Sequence, residues 1–179
     1  NYPAYMAPDG ENFRQENAVR LLGSNEKFTM EGLIAVGYNK HLTAFDSILP
    51  ILFTAYEKCK SSNPALYDSL AAPINILKSW DRNISDTSIA ANLAIHWGEY
   101  MMTLINSPDP EWMPDITLRM GATLRSATGL QLLQPLQNII RNWQKNNGSW
   151  KITWGEINRF QRISADLVQP YTDAKSSLP

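Results

Sequence analysis

The stretch from about Gly129 to Trp143 constrains the fold most. Leu132, Leu133, Leu136, Ile139, Ile140 and Trp143 recur there at spacings of three and four. Residues so spaced lie along one face of a helix, and an apolar face that long must be buried against a partner. Asn146-Asn147-Gly148 supplies the stop, with glycine just beyond the last turn. The same grammar recurs along the chain. Thr29 is placed to cap a run holding Leu33, Ile34 and Tyr38. Thr43 precedes Ala44, Phe45, Ile48, Leu49, Leu52, Phe53 and Tyr56. Asn63-Pro64 reads as an N-cap with proline at the first helical position, ahead of Leu66, Leu70, Ile74 and Leu77. Trp80-Asp81-Arg82-Asn83 is the exit from that helix.

Asp86 or Thr87 is expected to cap the next helix, which holds Ile89, Leu93, Ile95, Trp97, Met101 and Leu104. A shorter helix is expected from Ile116 to Leu124, and Thr153-Trp154-Gly155-Glu156 has the capping-box pattern for a helix through Arg162. Ser107-Pro108-Asp109-Pro110 breaks the pattern as a loop. Pro50 and Pro73 fall inside helical runs and are expected to kink or split them, because proline lacks the N–H and crowds the preceding turn. No segment alternates with period two, so strands should be scarce. The expected fold is all-α, an irregular bundle of six to eight short helices. It is read as a single helical segment over 1–179: an extended lead-in over 1–12, a first helical group over 13–105, a loop over 106–115, a second group over 116–165 and a tail over 166–179.

Composition narrows the function classes. Lys+Arg is 16 against Asp+Glu 17, with no basic run, so there is no electrostatic grip on a phosphate backbone and no nucleic acid is expected. No apolar stretch reaches the ~20 residues of a bilayer span. The chain starts at Asn1 without a leader-like segment and stops at Ser176-Ser177-Leu178-Pro179, and both ends read as cut from something larger.

Few residues point to chemistry directly. His41 and His96 are far apart and belong to no metal-binding spacing, so each reads as a structural histidine. Cys59 lies between Lys58 and Lys60, which would favour a thiolate, but a nucleophilic cysteine needs a base and none is signalled. Asp9 and Glu11 sit close together without the calcium-loop spacing; Asp109 and Asp115 read as turn or cap residues. Trp80, Trp97, Trp112, Trp143, Trp150 and Trp154 are many for this length; they lie on apolar stripes or beside loops and read as core, or as faces that packed on a larger body. Arg14, read from its surroundings alone, is a surface arginine with Glu11 as an acidic partner.

One series of motifs is specific in its order. Tyr2-Pro3-Ala4-Tyr5-Met6-Ala7-Pro8-Asp9-Gly10-Glu11-Asn12-Phe13-Arg14 is followed by Arg20-Leu21-Leu22. Phe28-Thr29 and Glu31, Phe45-Asp46, Leu49-Pro50, Leu77 with Trp80-Asp81-Arg82, and Trp154-Gly155-Glu156-Ile157-Asn158-Arg159 come after. This series resembles the β chain of the penicillin acylase family of N-terminal-nucleophile hydrolases, across most of the chain and weakly between Asn106 and Asn147.

The resemblance implies a helical segment of a larger α/β two-chain hydrolase that is made as one precursor and cut. In such a parent an N-terminal serine attacks an amide carbonyl, its own α-amino group acts as base, and an asparagine and a backbone N–H hold the oxyanion. Neither the serine nor that asparagine is in this chain, which is expected to be inactive alone. Arg14 matches the family's active-site arginine and would support catalysis and maturation in the parent only.

The implied substrate is a small acyl amide such as a β-lactam side chain or an acyl-homoserine lactone. The implied partners are the α chain and the β-chain core of the same precursor, and the implied location is periplasmic or secreted. No cofactor is implied for this segment. Calcium belongs to intact family members, and Asp9 is the nearest residue to that site, but its spacing does not align and no metal site is assigned. An uncovered apolar face would favour a homodimer. The alternative is a free-standing helical interaction module with an exposed aromatic groove.

Overall fold

The computed structural model describes residues 10–23, 27–105, 115–161 and 171–178. Among them the chain forms eight α-helices: α1 (Phe13–Leu22), α2 (Met30–Gly37), α3 (Ala44–Ser62), α4 (Pro64–Ser79), α5 (Ile89–Leu104), α6 (Ile116–Ser126), α7 (Gly129–Asn147) and α8 (Trp154–Ile157). A 3₁₀ turn covers Asp173–Lys175. No strand forms among the described residues; two isolated antiparallel bridges join His41 to Asn83 and Phe160 to Ser177.

The core is built by α3, α4, α5, α6 and α7, so helices from both expected groups share it. Each contributes the stripe its sequence spaces out: Ile48, Leu49 and Leu52 from α3, Leu70, Ile74 and Leu77 from α4, Leu93, Trp97 and Met101 from α5, Leu124 from α6, and Leu133 and Leu136 from α7 are all essentially inaccessible. Burying each of the aliphatic side chains is worth about 1.5–3 kcal/mol relative to exposure. Trp97 is the largest of these side chains, and its indole Nε1–H donates to the Leu132 carbonyl at 2.9 Å, so its one polar atom is satisfied inside the core. Gln137 on α7 reaches α4 through its Nε2–H, which donates to Ser69 Oγ at 2.8 Å.

Local signals set most helix ends. Asn63 alone joins α3 to α4 and caps α4, its side chain accepting from the Leu66 N–H at 3.2 Å. Asp115 caps α6 through Oδ1, which accepts from the Thr117 and Leu118 N–H groups. Thr128 and Gln131 form a capping box at α7, and Gly148 closes that helix in the left-handed region at φ 73°.

Several expectations need correction. The cap of α5 is Ser88, whose side chain accepts from the Ala91 N–H at 3.0 Å, rather than Asp86 or Thr87. The helix begun by Thr153 ends at Ile157 instead of reaching Arg162. Beyond it Phe160 pairs with Ser177, and Arg159 donates to Ser176 Oγ at 2.8 Å, so the tail captures the backbone. Of the two outcomes expected at Pro50 and Pro73, the split does not occur: α3 and α4 each continue through their proline, as α7 does through Pro135. The carbonyls these prolines leave without a helical donor belong to Asp46, Ser69 and Gln131, all exposed residues. The loop at Ser107-Pro108-Asp109-Pro110, together with Trp112 and Asp9, lies outside the described residues.

Candidate functional site

Helices α1 and α2 pack mainly on each other and stand against the body across a groove of about 1050 Å³. Phe45, Ile48, Ile95 and Met120 line its body side, and Leu21, Leu33 and Val36 line the facing side. Gly98 also lines it; a Cβ there would meet the Phe45 ring at 3.2 Å, so glycine lets that ring lie against α5. Arg14, Asn17, Asn39, His41 and Glu99 supply the polar groups of the lining.

A relay of hydrogen bonds fixes α1 over this groove. Arg20 Nη2 donates to Asn17 Oδ1 at 2.7 Å, Asn17 Nδ2 donates to Asn39 Oδ1 at 3.2 Å, and the His41 N–H donates to the same Asn39 oxygen at 3.1 Å. His41 Nε2 then meets Asp46 Oδ2 at 2.6 Å. A carboxylate only accepts, so Nε2 carries the proton and the ring is oriented by Asp46. The backbone around His41 is anchored in turn, because Leu42 N–H donates to the Arg82 carbonyl at 2.9 Å and Ile84 N–H to the Lys40 carbonyl at 3.0 Å.

The Trp80-Asp81-Arg82-Asn83 exit is a tight knot that holds the Lys40–Leu42 backbone. Trp80 Nε1–H donates to the Asn83 carbonyl at 2.9 Å, Asn83 Nδ2 donates to Asp81 Oδ2 at 2.8 Å, and the Arg82 guanidinium bonds the Trp80 carbonyl. Arg82 adopts φ 66°, the left-handed region that residues other than glycine rarely enter, and the surrounding bonds hold it there. The Asn83 side chain, then its backbone N–H, hold the Asp81 carboxyl below its ordinary value.

Arg14 is exposed at the groove and forms no ion pair among the described residues, so the Glu11 partnership is not made. Its guanidinium is free to present paired donors to an oxygen-rich group. His41, read from sequence as an isolated structural histidine, is paired with Asp46 and shares the groove with Arg14. No regular register announces that pair, because residues five apart are not helical neighbours. His96 is structural: its Nδ1–H donates to the Asn92 carbonyl at 2.9 Å and its ring stands edge-on to Trp143 at 5.1 Å.

Cys59 is buried, and its thiol donates to the Asn63 carbonyl at 3.4 Å. Asp115 serves as a helix cap. Among the described residues no cluster of three or more His, Cys, Asp or Glu is placed to hold a metal, and no helix is long and apolar enough to cross a membrane.

The α1–α2 pair and the Tyr38 C-cap also carry exposed apolar side chains. Tyr38 is 81% exposed, Met30 70% and Val19 66%, with Leu22, Leu33 and Ile34 about half exposed. In the run capped by Thr29, Leu33 lines the groove, while Ile34 and Tyr38 are exposed. No solved structure matches the chain. The family model described as penicillin amidase matches residues 1–175. Nearly the whole chain is covered, and it belongs to the penicillin amidase family.

Proposed function

We propose that this chain is the helical, non-catalytic part of a penicillin-acylase-like amide hydrolase, and that Arg14 serves the reacting centre of that parent. The carrying observation is the placement of Arg14: an exposed guanidinium without an ion pair among the described residues, on a helix pinned by the Arg20–Asn17–Asn39–His41 relay beside an apolar groove. Such an arginine suits a carboxylate or a polarised carbonyl oxygen brought to it by another part of the protein. Neither Cys59, bonded to Asn63, nor the His41–Asp46 pair forms a nucleophile–base couple.

In the parent, an N-terminal serine outside this chain adds its hydroxyl oxygen to the amide carbonyl while its α-amino group takes the proton. The C–N bond then breaks with proton return to the leaving amine, and water releases the acid from the acyl-enzyme. The substrate class is a linear acyl amide, such as a β-lactam side chain or an acyl-homoserine lactone. The first partner is the remainder of the same precursor, which would cover Val19, Met30, Ile34 and Tyr38. A second copy would cover the same face when that remainder is missing. Periplasmic or secreted location follows from the same reading.

The test is Arg14→Ala and Arg14→Lys in the intact gene product. Both should lower kcat/KM for a chromogenic acyl amide, the alanine form by about a hundredfold or more, because lysine keeps a charge but loses the planar fork. Unchanged kcat/KM in the alanine form would overturn the role given to Arg14.

A further inference from the structure

A second cavity, of about 610 Å³, lies between α3, α6 and the start of α7, away from the Arg14 groove. Its volume falls in the range of small-molecule sites. Ala55, Leu124, Leu132 and Leu133 give it an apolar floor, and these four side chains belong to the buried core. Among the described residues, Lys58 and Arg125 supply its only charges, no carboxylate lines it, and neither cation forms an ion pair.

Two cationic side chains in the lining of a cavity with an apolar floor select a particular chemistry. A purely apolar ligand would leave both charges idle, and a bare anion would leave the floor wetted. We propose that this cavity binds a small amphiphilic carboxylate, with its head at Lys58 and Arg125 and its hydrocarbon over Ala55, Leu124, Leu132 and Leu133. The opening of α7 adds to the same polarity. Gly129 and Leu130 line the cavity, and as the first residues of a 19-residue helix their N–H groups have no intrahelical acceptor. The cavity is separate from the groove of Arg14, so the inference does not depend on the amide-hydrolase reading.

The test is a titration of the 179-residue chain with octanoate, followed by amide chemical shifts, beside parallel titrations with octanol and with acetate. Octanoate should shift the amides of Lys58, Gly129 and Leu130 and bind about tenfold or more tightly than either control, since only it satisfies both floor and cations. The double variant Lys58→Met, Arg125→Met keeps the apolar bulk and should lose that advantage, with an unchanged far-ultraviolet spectrum. Three results would overturn the proposal: octanol binding as tightly as octanoate, shifts confined to the Leu33 and Val36 side of the other groove, or no saturable shift. The comparison of ligands on the unaltered chain decides the matter even if the double variant does not fold.

Discussion

Asn92 and Ile152, sixty residues apart, share one fully buried hydrogen bond: Asn92 Nδ2 donates to the Ile152 carbonyl at 2.9 Å. The bond ties the first turn of α5 to the backbone that follows α7 and leads into Trp154-Gly155. Asn92 is inaccessible, and its Oδ1 has no hydrogen-bond partner among the described residues. Asn92→Ala would leave the Ile152 carbonyl buried and unpaired and open a small void, costing about 2–3 kcal/mol. Asn92→Asp would place a carboxylate among apolar neighbours and cost more. Urea unfolding midpoints check both, and a loss under about 0.5 kcal/mol for the alanine form would show that the bond does not bind the two segments.

Gly155 and Gly121 should respond to alanine with opposite signs. A Cβ at Gly155 would come within 3.0 Å of the Asp86 backbone oxygen and 2.9 Å of Leu178 Cδ2, and the Gly155 N–H already donates to that Asp86 oxygen at 2.7 Å. Backbone cannot step aside cheaply, so Gly155→Ala should destabilise by roughly 1–3 kcal/mol. At Gly121, inside α6, the near atoms are the guanidinium end of Arg125, which can swing away. Gly121→Ala should therefore stabilise by roughly 0.5–1 kcal/mol through helix propensity. Thermal melts of the two variants read the sign directly.

Acid should weaken the fold through exposed caps. The Thr153 backbone N–H, then its hydroxyl, hold Glu156 below its ordinary 4.5, and the Thr117 hydroxyl, then the Leu118 N–H, hold Asp115 below 3.8. A carboxyl lowered in the folded chain binds fewer protons there than in the unfolded chain. Its contribution is complete above the unfolded value and is lost as pH falls through the folded one. Stability measured by urea should thus be flat above about pH 5 and decline below it, and Glu156→Gln, which keeps the box but does not titrate, should make the decline shallower. An equally steep decline in the glutamine form would remove Glu156 from the explanation.

The helical body was legible because its signals are local. The stripe and glycine stop of α7, the Asn63-Pro64 start of α4 and the capping box at Thr153 each act within a turn. What was not legible depends on distant partners. Asp86 and Ser88 give their carbonyls to the Gly155 and Trp154 N–H groups, at 2.7 and 3.1 Å, and that docking leaves Ser88 as the residue whose side chain caps α5. The same Thr153 box cannot extend its helix, because Phe160 and Arg159 are claimed by Ser177 and Ser176. At the groove, the order of motifs led to Arg14, but nothing in the spacing announced that Asn17, Asn39 and Asp46 would gather around His41. The outward apolar face of α2 obeys the helical period and still faces away from the core, since periodicity selects a face without naming what covers it.

Hydrolysis of a chromogenic acyl amide, measured side by side for the purified 179-residue chain and for the processed product of its whole gene, tests the central claim most directly. The whole product should turn the amide over, and the chain alone should release no chromophore above the buffer rate. Sustained turnover by the chain alone would contradict the claim that the attacking hydroxyl lies elsewhere.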